Sequence, residues 1–436
     1  MTNGKGLPLQ FPDVKGRKIE GEFDGGGVSS DGGVLLLRQV DRWLGLTKRL
    51  AEVLPDRRDP DRITHSLESL LQQRLYGLAL GYEDLNDHDA LRHDVVWQTA
   101  AERDEALGGS STLCRWENRA GRQEAWRMHQ VLFEQFVGSF DTAPEELILD
   151  FDATDDRVHG AQAGAFFNGY YRDYCFLPLY VFCGEQLLVS YLRPSNIDAA
   201  RHAWAVLALL VKALRRHWPQ VRILLRADSG FCRWRLFRWC ERHGVDYLVG
   251  LAKNTRLNAL SAEWQAQAAA QHQALGEKVR LFGEFAYKAH PWDRERRVIV
   301  KAEHNAHGPN PRYLVTCLDR GAQELYEVTY CARGEMENQI KAQQLDLFSD
   351  RTSCHAWWAN QFRVLLSASA YLLLEALRRL GLAGTELARA QVGTIRLKLL
   401  KVGTVVVRNT RRVRLWFSSA FALQEMFRQC LACFYG

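Results

Sequence analysis

The stretch that decides the fold is Leu147-Ile-Leu-Asp-Phe-Asp-Ala-Thr154, in which a run of large apolar residues ends on acids. A short apolar run closed by polar residues predicts a buried β-strand. Side chains alternate between the two faces of a strand, so Asp150 and Asp152 lie on the same face. The sequence therefore predicts carboxyl groups at the carboxyl end of a central strand.

Outward from this strand, the periodicity predicts an alternation of strands and helices. Strands are predicted at 176–182 and 186–192, followed by a helix at 199–217, a strand at 221–226, a helix at 233–243 and a strand at 247–251. Three strands in succession, then helix, strand, helix and strand, is the order of a ribonuclease-H-like core. The fold class is therefore predicted as α/β, with a ribonuclease-H-like catalytic core.

The rest of the chain is predicted to surround this core. Helical periodicity marks 1–140 as a helical N-terminal domain, in which 1–30 form an arm with little regular structure. The predicted regions beyond it are 146–255 as the first part of the core, 256–325 as an inserted and mostly β subdomain, 326–385 as the completion of the core with its third acid, and 386–436 as a basic hairpin and helix. The hairpin is predicted to join 396–400 to 404–407.

The chain has 436 residues and a net charge of +6. This length exceeds what a single hydrophobic core sustains, so two or three domains are expected. A basic excess favours polyanionic partners, but +6 is modest at this size. From Leu387 to Gln424 there is no acidic residue, while eight positions are cationic: Arg389, Arg396, Lys398, Lys401, Arg408, Arg411, Arg412 and Arg414. Such a run indicates either a solvated face or a surface for nucleic acid.

The composition also predicts a cellular compartment. The first residues contain no apolar core of a secretory signal, and no apolar stretch is long enough to read as a membrane span. Ten scattered cysteines suit reduced thiols better than a disulfide framework. We therefore expect a cytoplasmic protein without membrane contact.

Three acids fall where phosphodiester chemistry needs them. Asp152 ends the first strand, Asp228 follows the fourth, and Glu337 begins a helix. Two Mg²⁺ ions roughly 3.5–4 Å apart can hold an attacking and a leaving oxygen in line, and such hard cations take carboxylate ligands. Each acid alone is more often a helix cap or turn residue. The set, in this order, predicts a metal-binding active site.

The segments around these acids resemble a known family. Asp152-Ala-Thr-Asp155, Arg226-Ala-Asp-Ser-Gly-Phe231 and the segment 330–341 are similar to the three acid-bearing motifs of bacterial insertion-sequence DDE transposases. Tyr330, Arg333 and Glu337 match the Tyr-x2-Arg-x3-Glu signature of the insertion-sequence 4 clan. More specific likeness to the insertion-sequence 1380 family comes from three further segments: Gly81-Tyr-Glu-Asp-Leu-Asn-Asp87, His159-Gly-Ala-Gln162 and 408–414.

The resemblance implies a cut-and-paste DNA transposase that depends on magnesium (two Mg²⁺ ions, with Mn²⁺ able to substitute). It implies a homodimer acting on double-stranded DNA, both the terminal inverted repeats and the target, in the bacterial cytoplasm and associated with the nucleoid when bound to DNA. The catalytic and metal-binding residues would be Asp152, Asp228 and Glu337, with Asp150 as the fallback for the first acid. The helical N-terminal domain, 1–140, would be DNA-binding. The DNA-binding residues elsewhere would be Tyr330, Arg333, Lys341, Arg408, Arg411, Arg412 and Arg414. One departure is Gln344, where the clan often has lysine.

Two other functions compete with this interpretation. The Leu147–Thr154 stretch also fits the first motif of haloacid-dehalogenase-type phosphatases, with Asp150 as nucleophile and Asp152 as general acid. The downstream paired-acid motif of those enzymes is absent from the sequence. The other alternative is an inactive or domesticated transposase that binds DNA without cutting it.

Overall fold

The computed structural model describes residues 8–24, 26–158 and 160–435 and shows a mixed α/β protein. The first part of the chain is mostly helical, after two strands that form an exposed hairpin. Its elements are β1 (Leu9–Val14), β2 (Arg17–Gly21), β3 (Val28–Ser29), α1 (Val34–Leu44), α2 (Leu46–Val53), α3 (Leu67–Leu80), α4 (Asp87–Leu91), α5 (Val95–Ala100), α6 (Ser110–Glu117) and α7 (Arg122–Gly138). The hairpin β1–β2 corrects the expectation that 1–30 have little regular structure.

The middle of the chain builds the central sheet and the helices that cover it. Its elements are β4 (Glu146–Ala153), β5 (Asp156–Arg157), β6 (Phe166–Asn168), β7 (Asp173–Phe176), β8 (Leu179–Cys183), β9 (Gln186–Tyr191), α8 (Ala203–His217), β10 (Arg222–Ala227), α9 (Trp234–Arg242), β11 (Asp246–Leu251), α10 (Thr255–Leu260), α11 (Ala262–Leu275), β12 (Val279–Tyr287), β13 (Arg296–Asn305), β14 (Gly308–Pro309) and β15 (Arg312–Thr316). The predicted order of strands and helices between 146 and 251 is therefore observed, with β5, β6 and β7 added as a small separate sheet.

The last part of the chain returns to helices before a final hairpin. Its elements are α12 (Ala322–Glu324), α13 (Gly334–Lys341), α14 (Trp357–Ala376), α15 (Val392–Ile395), β16 (Thr404–Arg408), β17 (Val413–Phe417) and α16 (Gln424–Ala432). The helix is continuous from α12 to Asp346, because tighter and wider helical turns link α12 to α13 and extend beyond it. We call this segment, 322–346, the Glu337 helix.

The central sheet has nine strands, with the order β12-β13-β15-β11-β10-β4-β8-β9 and β14 paired to β13. β10 runs parallel to both β4 and β11, whereas β8 runs antiparallel to β4 and β9 antiparallel to β8. The strands predicted as an inserted β subdomain do not form a sheet of their own. They extend the central sheet instead, because β15 pairs with the edge of β11.

The two faces of β4 meet different layers. Leu147, Leu149 and Phe151 are buried against α8 and α9 in one hydrophobic cluster. Ile148 faces the opposite way, into a cluster that includes Leu325 of the Glu337 helix. Because residues of one face recur every second position, Asp150 and Asp152 also lie on the side of the Glu337 helix.

The N-terminal helices share their core with the end of the chain. Residues of α1, α2, α3, α5 and α7 belong to the same buried cluster as residues of α14, α15 and α16. α14 is central to this cluster, because most of its length is buried and it packs against α3, α7 and β9. The helical layer and the sheet are thus joined through one long helix.

The basic hairpin differs from its prediction at one strand. Residues 396–400, predicted as a strand, are helical, and β16 pairs instead with β17. β3 pairs with the other edge of β16, so an N-terminal strand completes a three-stranded sheet. Within the described ranges, no helix combines the length and the apolar character needed to cross a membrane.

Candidate active site

Asp152 and Asp228 are brought side by side by the register of two parallel strands. Phe151 of β4 is paired with Ala227 of β10. Asp152 follows Phe151 in the chain, and Asp228 follows Ala227. Parallel strands end at the same edge of a sheet, so the two carboxylates share that edge. Asp228 accepts a hydrogen bond of 2.9 Å from the backbone N–H of Gly230, which holds its side chain at the turn after β10.

Two residues before Asp152 and Asp228 on their strands, Asp150 and Arg226 form a buried ion pair. They are partners in the same register and are only 3% and 6% exposed. The guanidinium donates to both carboxylate oxygens, and the bond from Nη2 is 2.6 Å long. A bidentate pair of this kind satisfies the carboxylate fully. Asp150, the fallback first acid, is therefore engaged within the protein, and a phosphatase nucleophile at this position would be buried.

The Glu337 helix lies across this face and brings two more charged residues. Arg333 Nη1 lies 3.4 Å from Asp152 Oδ2 and 3.7 Å from Glu337 Oε1. Asp152 and Arg333 are mostly buried, whereas the Glu337 side chain is 57% exposed. The arginine thus stands between the first and third predicted acids. The helix is held in place because Arg226 also donates a hydrogen bond to the carbonyl oxygen of Thr329.

Burial and the neighbouring acids disfavour the ionised form of Asp152. The pKa of Asp152 is raised to about 6, chiefly by burial and also by the negative charges of Asp228 and Glu337, against the lowering effect of Arg333. In the part of the chain that the structure describes, no three acid, histidine or cysteine side chains are close enough together to hold a metal ion. Arg333 instead stands between Asp152 and Glu337, and Asp228 interacts with it only through its charge. The oxygen-only donor set of the three acids suits a hard divalent cation, which would offset the repulsion that adds to the effect of burial on the pKa of Asp152.

Gly250 is a member of this site that sequence reasoning missed. It follows Val249, the β11 partner of Ala227, so it occupies the same row as Asp152 and Asp228. A Cβ atom at Gly250 would lie 2.8 Å from the Tyr330 Oη and from the Ser229 backbone nitrogen. The absent side chain therefore makes room for the Tyr330 ring. The available signal was a glycine inside an otherwise apolar strand.

Replacing Gly250 by alanine should displace Tyr330 from its position in the site. The added methyl group would push against Tyr330, and overpacking of this kind costs about 1–3 kcal/mol. Because Tyr330 lies one turn before Arg333, we expect loss of stability in urea unfolding together with slower DNA cleavage. Gly334→Ala on the same helix is the matched control, since a Cβ atom there meets no atom within 4 Å. Equal stability of the two variants would contradict this account of Gly250.

The other predicted DNA-binding residues lie outside the row of acids. Lys341 is exposed at the end of α13. The Gln344 amide donates a hydrogen bond of 2.9 Å to the carbonyl oxygen of Asp155. The remaining predicted contacts lie in the β16–β17 hairpin. Arg408 donates to the carbonyl oxygens of Arg103 and Asp104, Arg414 stands over the Trp416 ring, and Arg411 and Arg412 are exposed at the turn. His159 lies outside the described residues.

Comparisons with known proteins identify a family and a similar solved structure. Residues 11–434 match the family described as "Transposase DDE domain group 1". No curated protein matches the chain. A similar solved structure is described as "Cryo-EM structure of piggyBac transposase synaptic complex with hairpin DNA", with a TM-score of 0.40 and 10% identity over 84% of this chain and 78% of that chain. Because the family match spans nearly its whole length, the chain belongs to the transposase DDE domain group 1 family.

Proposed function

We propose that the protein is a DDE transposase that cleaves a DNA element from its flanks and joins it to a target. The observation that carries the proposal is the shared row of Asp152 and Asp228 at the ends of parallel strands, with Arg333 bridging from Asp152 to Glu337. DDE transposases generally use divalent metal ions. We assign Asp152, Asp228 and Glu337 as the ligands, and Mg²⁺ as the ion, with Mn²⁺ able to substitute.

The bound ions would supply positive charge to the attacking and leaving oxygens of the phosphodiester. The chain's own residues position the substrate. Arg333 presents a planar guanidinium whose geometry matches a phosphate. Tyr330 lies within hydrogen-bonding reach of this guanidinium. In this proposal Arg333 is paired with Asp152 and Glu337 before DNA binds, and it turns to a backbone phosphate when DNA enters. Lys341 extends the same helix toward the DNA backbone.

The finer assignments also belong to the proposal. The substrates are the terminal inverted repeats of an insertion sequence and its target DNA, and the active species is a homodimer on paired ends. The family is the insertion-sequence 1380 family within the insertion-sequence 4 clan, and the protein works in the bacterial cytoplasm. The motifs at 81–87, 226–231 and 330–341 support these assignments.

The experiment that tests the function is a plasmid excision assay. The coding region with its genomic flanks is placed on a plasmid, and the purified protein is added with Mg²⁺, with Mn²⁺ or with a chelator. We expect excision and a rejoined flank only with a divalent ion. Binding to the flanks without any nicking under all three conditions would instead favour the inactive DNA-binding alternative.

Neutralising the arginines of the β16–β17 hairpin should weaken DNA binding uniformly across sequences. Removing one phosphate-binding cation should lower the slope of log affinity against log salt by about 0.9. Arg408 already donates to carbonyl oxygens within the protein. We therefore expect changing Arg411, Arg412 and Arg414 to glutamine to lower the slope by up to about 3, and changing Arg408 as well to add little.

A matched control for this prediction uses cations that lie away from the hairpin. Arg216 and Arg242 are exposed on α8 and α9, which pack in a different hydrophobic cluster from the hairpin. Their double glutamine variant should bind DNA with the affinity and salt slope of the wild type. The hairpin is not a phosphate-contacting surface if the variants of Arg411, Arg412 and Arg414 behave like this control in the same fluorescence anisotropy titration.

A further inference from the structure

Beside Asp228 the structure contains a cleft whose two cations, Lys253 and Arg312, have no role in the proposed mechanism. Its volume is about 540 Å³, and Asp228 lies at its edge. The remaining walls come from the turn after β11, the start of β15 and the Glu337 helix, and include Gly250, Leu314, Tyr326 and Tyr330. The volume falls within the roughly 300–1,000 Å³ that is usual for small-ligand sites.

Two exposed cations border this cleft. Lys253 follows β11 and Arg312 begins β15, and both line the cleft. Among the ion pairs and hydrogen bonds of the described chain, neither side chain has a partner. The neighbouring cations differ, since Lys278, Arg280 and Lys301 are all paired with the buried carboxylate of Glu303. Unneutralised positive charge at the cleft favours an anionic ligand.

An aromatic ring forms part of the cleft wall. Tyr326 is half-buried, with its ring centroid 5.7 Å from that of Phe282 and 5.9 Å from that of Tyr330. The Lys301 ammonium stands 5.5 Å from the centroid of the Tyr326 ring and fixes it from one side. A ring held in this way loses little conformational entropy when a planar ligand stacks on it.

We propose that this cleft binds one nucleotide of a single DNA strand next to the reacting phosphate. The base stacks along Tyr326, and its phosphate lies between Lys253 and Arg312. The combination of two unpaired cations, an aromatic wall and room for one nucleotide selects this ligand over a bare anion or an apolar molecule. The inference rests on the proposed transposase function, because Asp228 joins the cleft to the row of acids.

The test is binding of a fluorescein-labelled twelve-residue oligothymidylate to the full-length protein without divalent ions. Changing both Lys253 and Arg312 to alanine should weaken binding at least about tenfold and lower the salt slope by about 0.7, the value for one single-strand phosphate that is no longer bound. The control variant changes Arg216 and Arg242, exposed cations on α8 and α9 at the opposite face of the sheet. A fall in affinity no larger than that of this control overturns the proposal.

The stacking part of the proposal has its own readout. Tyr326→Leu should weaken binding about tenfold, whereas Tyr326→Phe, which keeps the ring, should bind as the wild type does. Ultraviolet crosslinking of the same oligonucleotide carrying 5-iodouracil should label the tryptic peptide 321–333, which contains Tyr326. Crosslinks confined to other peptides, or an equal fall in affinity for the two Tyr326 variants, also overturn it.

These measurements separate the cleft from the catalytic proposal. Oligothymidylate binding is measured without divalent ions, whereas excision is expected only with them, so each readout can fail while the other holds. If that binding persists while the wild type never cleaves DNA, the proposed function fails and the cleft stands. If the wild type excises DNA but the cleft variants bind like the control, the cleft fails and the proposed function stands.

Discussion

DNA cleavage is expected to fall at least about a thousand-fold when any one of Asp152, Asp228 and Glu337 is replaced by its amide. A metal ion contributes several kcal/mol of charge stabilisation to phosphodiester cleavage, and each 1.4 kcal/mol or so is a factor of ten in rate. An amide keeps the shape of the side chain but removes the anionic ligand. Asp228→Asn also keeps the oxygen that accepts from Gly230, so the turn after β10 should survive. The measurement is the excision assay, with Mn²⁺ binding measured in parallel.

Glu335→Gln provides the matched control for the third acid. Glu335 is exposed on the same helix as Glu337, two residues earlier, and is not one of the residues that pair with Arg333. Its variant should excise DNA at the wild-type rate, whereas Glu337→Gln should not. All four amide variants should remain folded and bind DNA. Excision by any of the three acid variants would remove that acid from the proposed site.

The sequence was sufficient to predict that Asp152 and Asp228 lie close together, because the determining patterns are local. The alternation in 147–154 identified a buried strand and placed Asp150 and Asp152 on one face. The same periodicity predicted β10 and the position of Asp228 directly after it. Since parallel strands in this order end at one edge of the sheet, the meeting of Asp152 and Asp228 follows from two local patterns and one topological rule.

The roles that depend on register and on distant contacts could not be predicted. The sequence pattern predicted mostly β structure in 256–325, but it carries no information about which sheet edge those strands join. The segment 396–400 reads Arg-Leu-Lys-Leu-Leu, which alternates for four residues and fits a short strand as well as a helical turn. Gly250 and Arg226 act through partners about 80 and 100 residues away along the chain, Tyr330 and Thr329. No local pattern marks such contacts.

The register that pairs Arg226 with Asp150 predicts a large effect of replacing Arg226. Changing Arg226 to methionine leaves Asp150 buried without its partner, and breaking a buried pair in this way costs about 3–5 kcal/mol. We expect a correspondingly large fall in the free energy of unfolding measured in urea. DNA cleavage should also decline, because the variant lacks the hydrogen bond to Thr329 that holds the helix carrying Arg333 and Glu337.

A double variant separates these two effects. Replacing Asp150 by leucine together with Arg226→Met removes both buried charges, and such replacements are often neutral or stabilising. The double variant should therefore regain most of the stability, with a coupling free energy in the double-mutant cycle well above about 1 kcal/mol. Cleavage should stay low, because no donor then reaches the Thr329 carbonyl. If cleavage recovers along with stability, the ion pair serves only to neutralise charge, and the placement of Arg333 and Glu337 depends on other contacts of the helix.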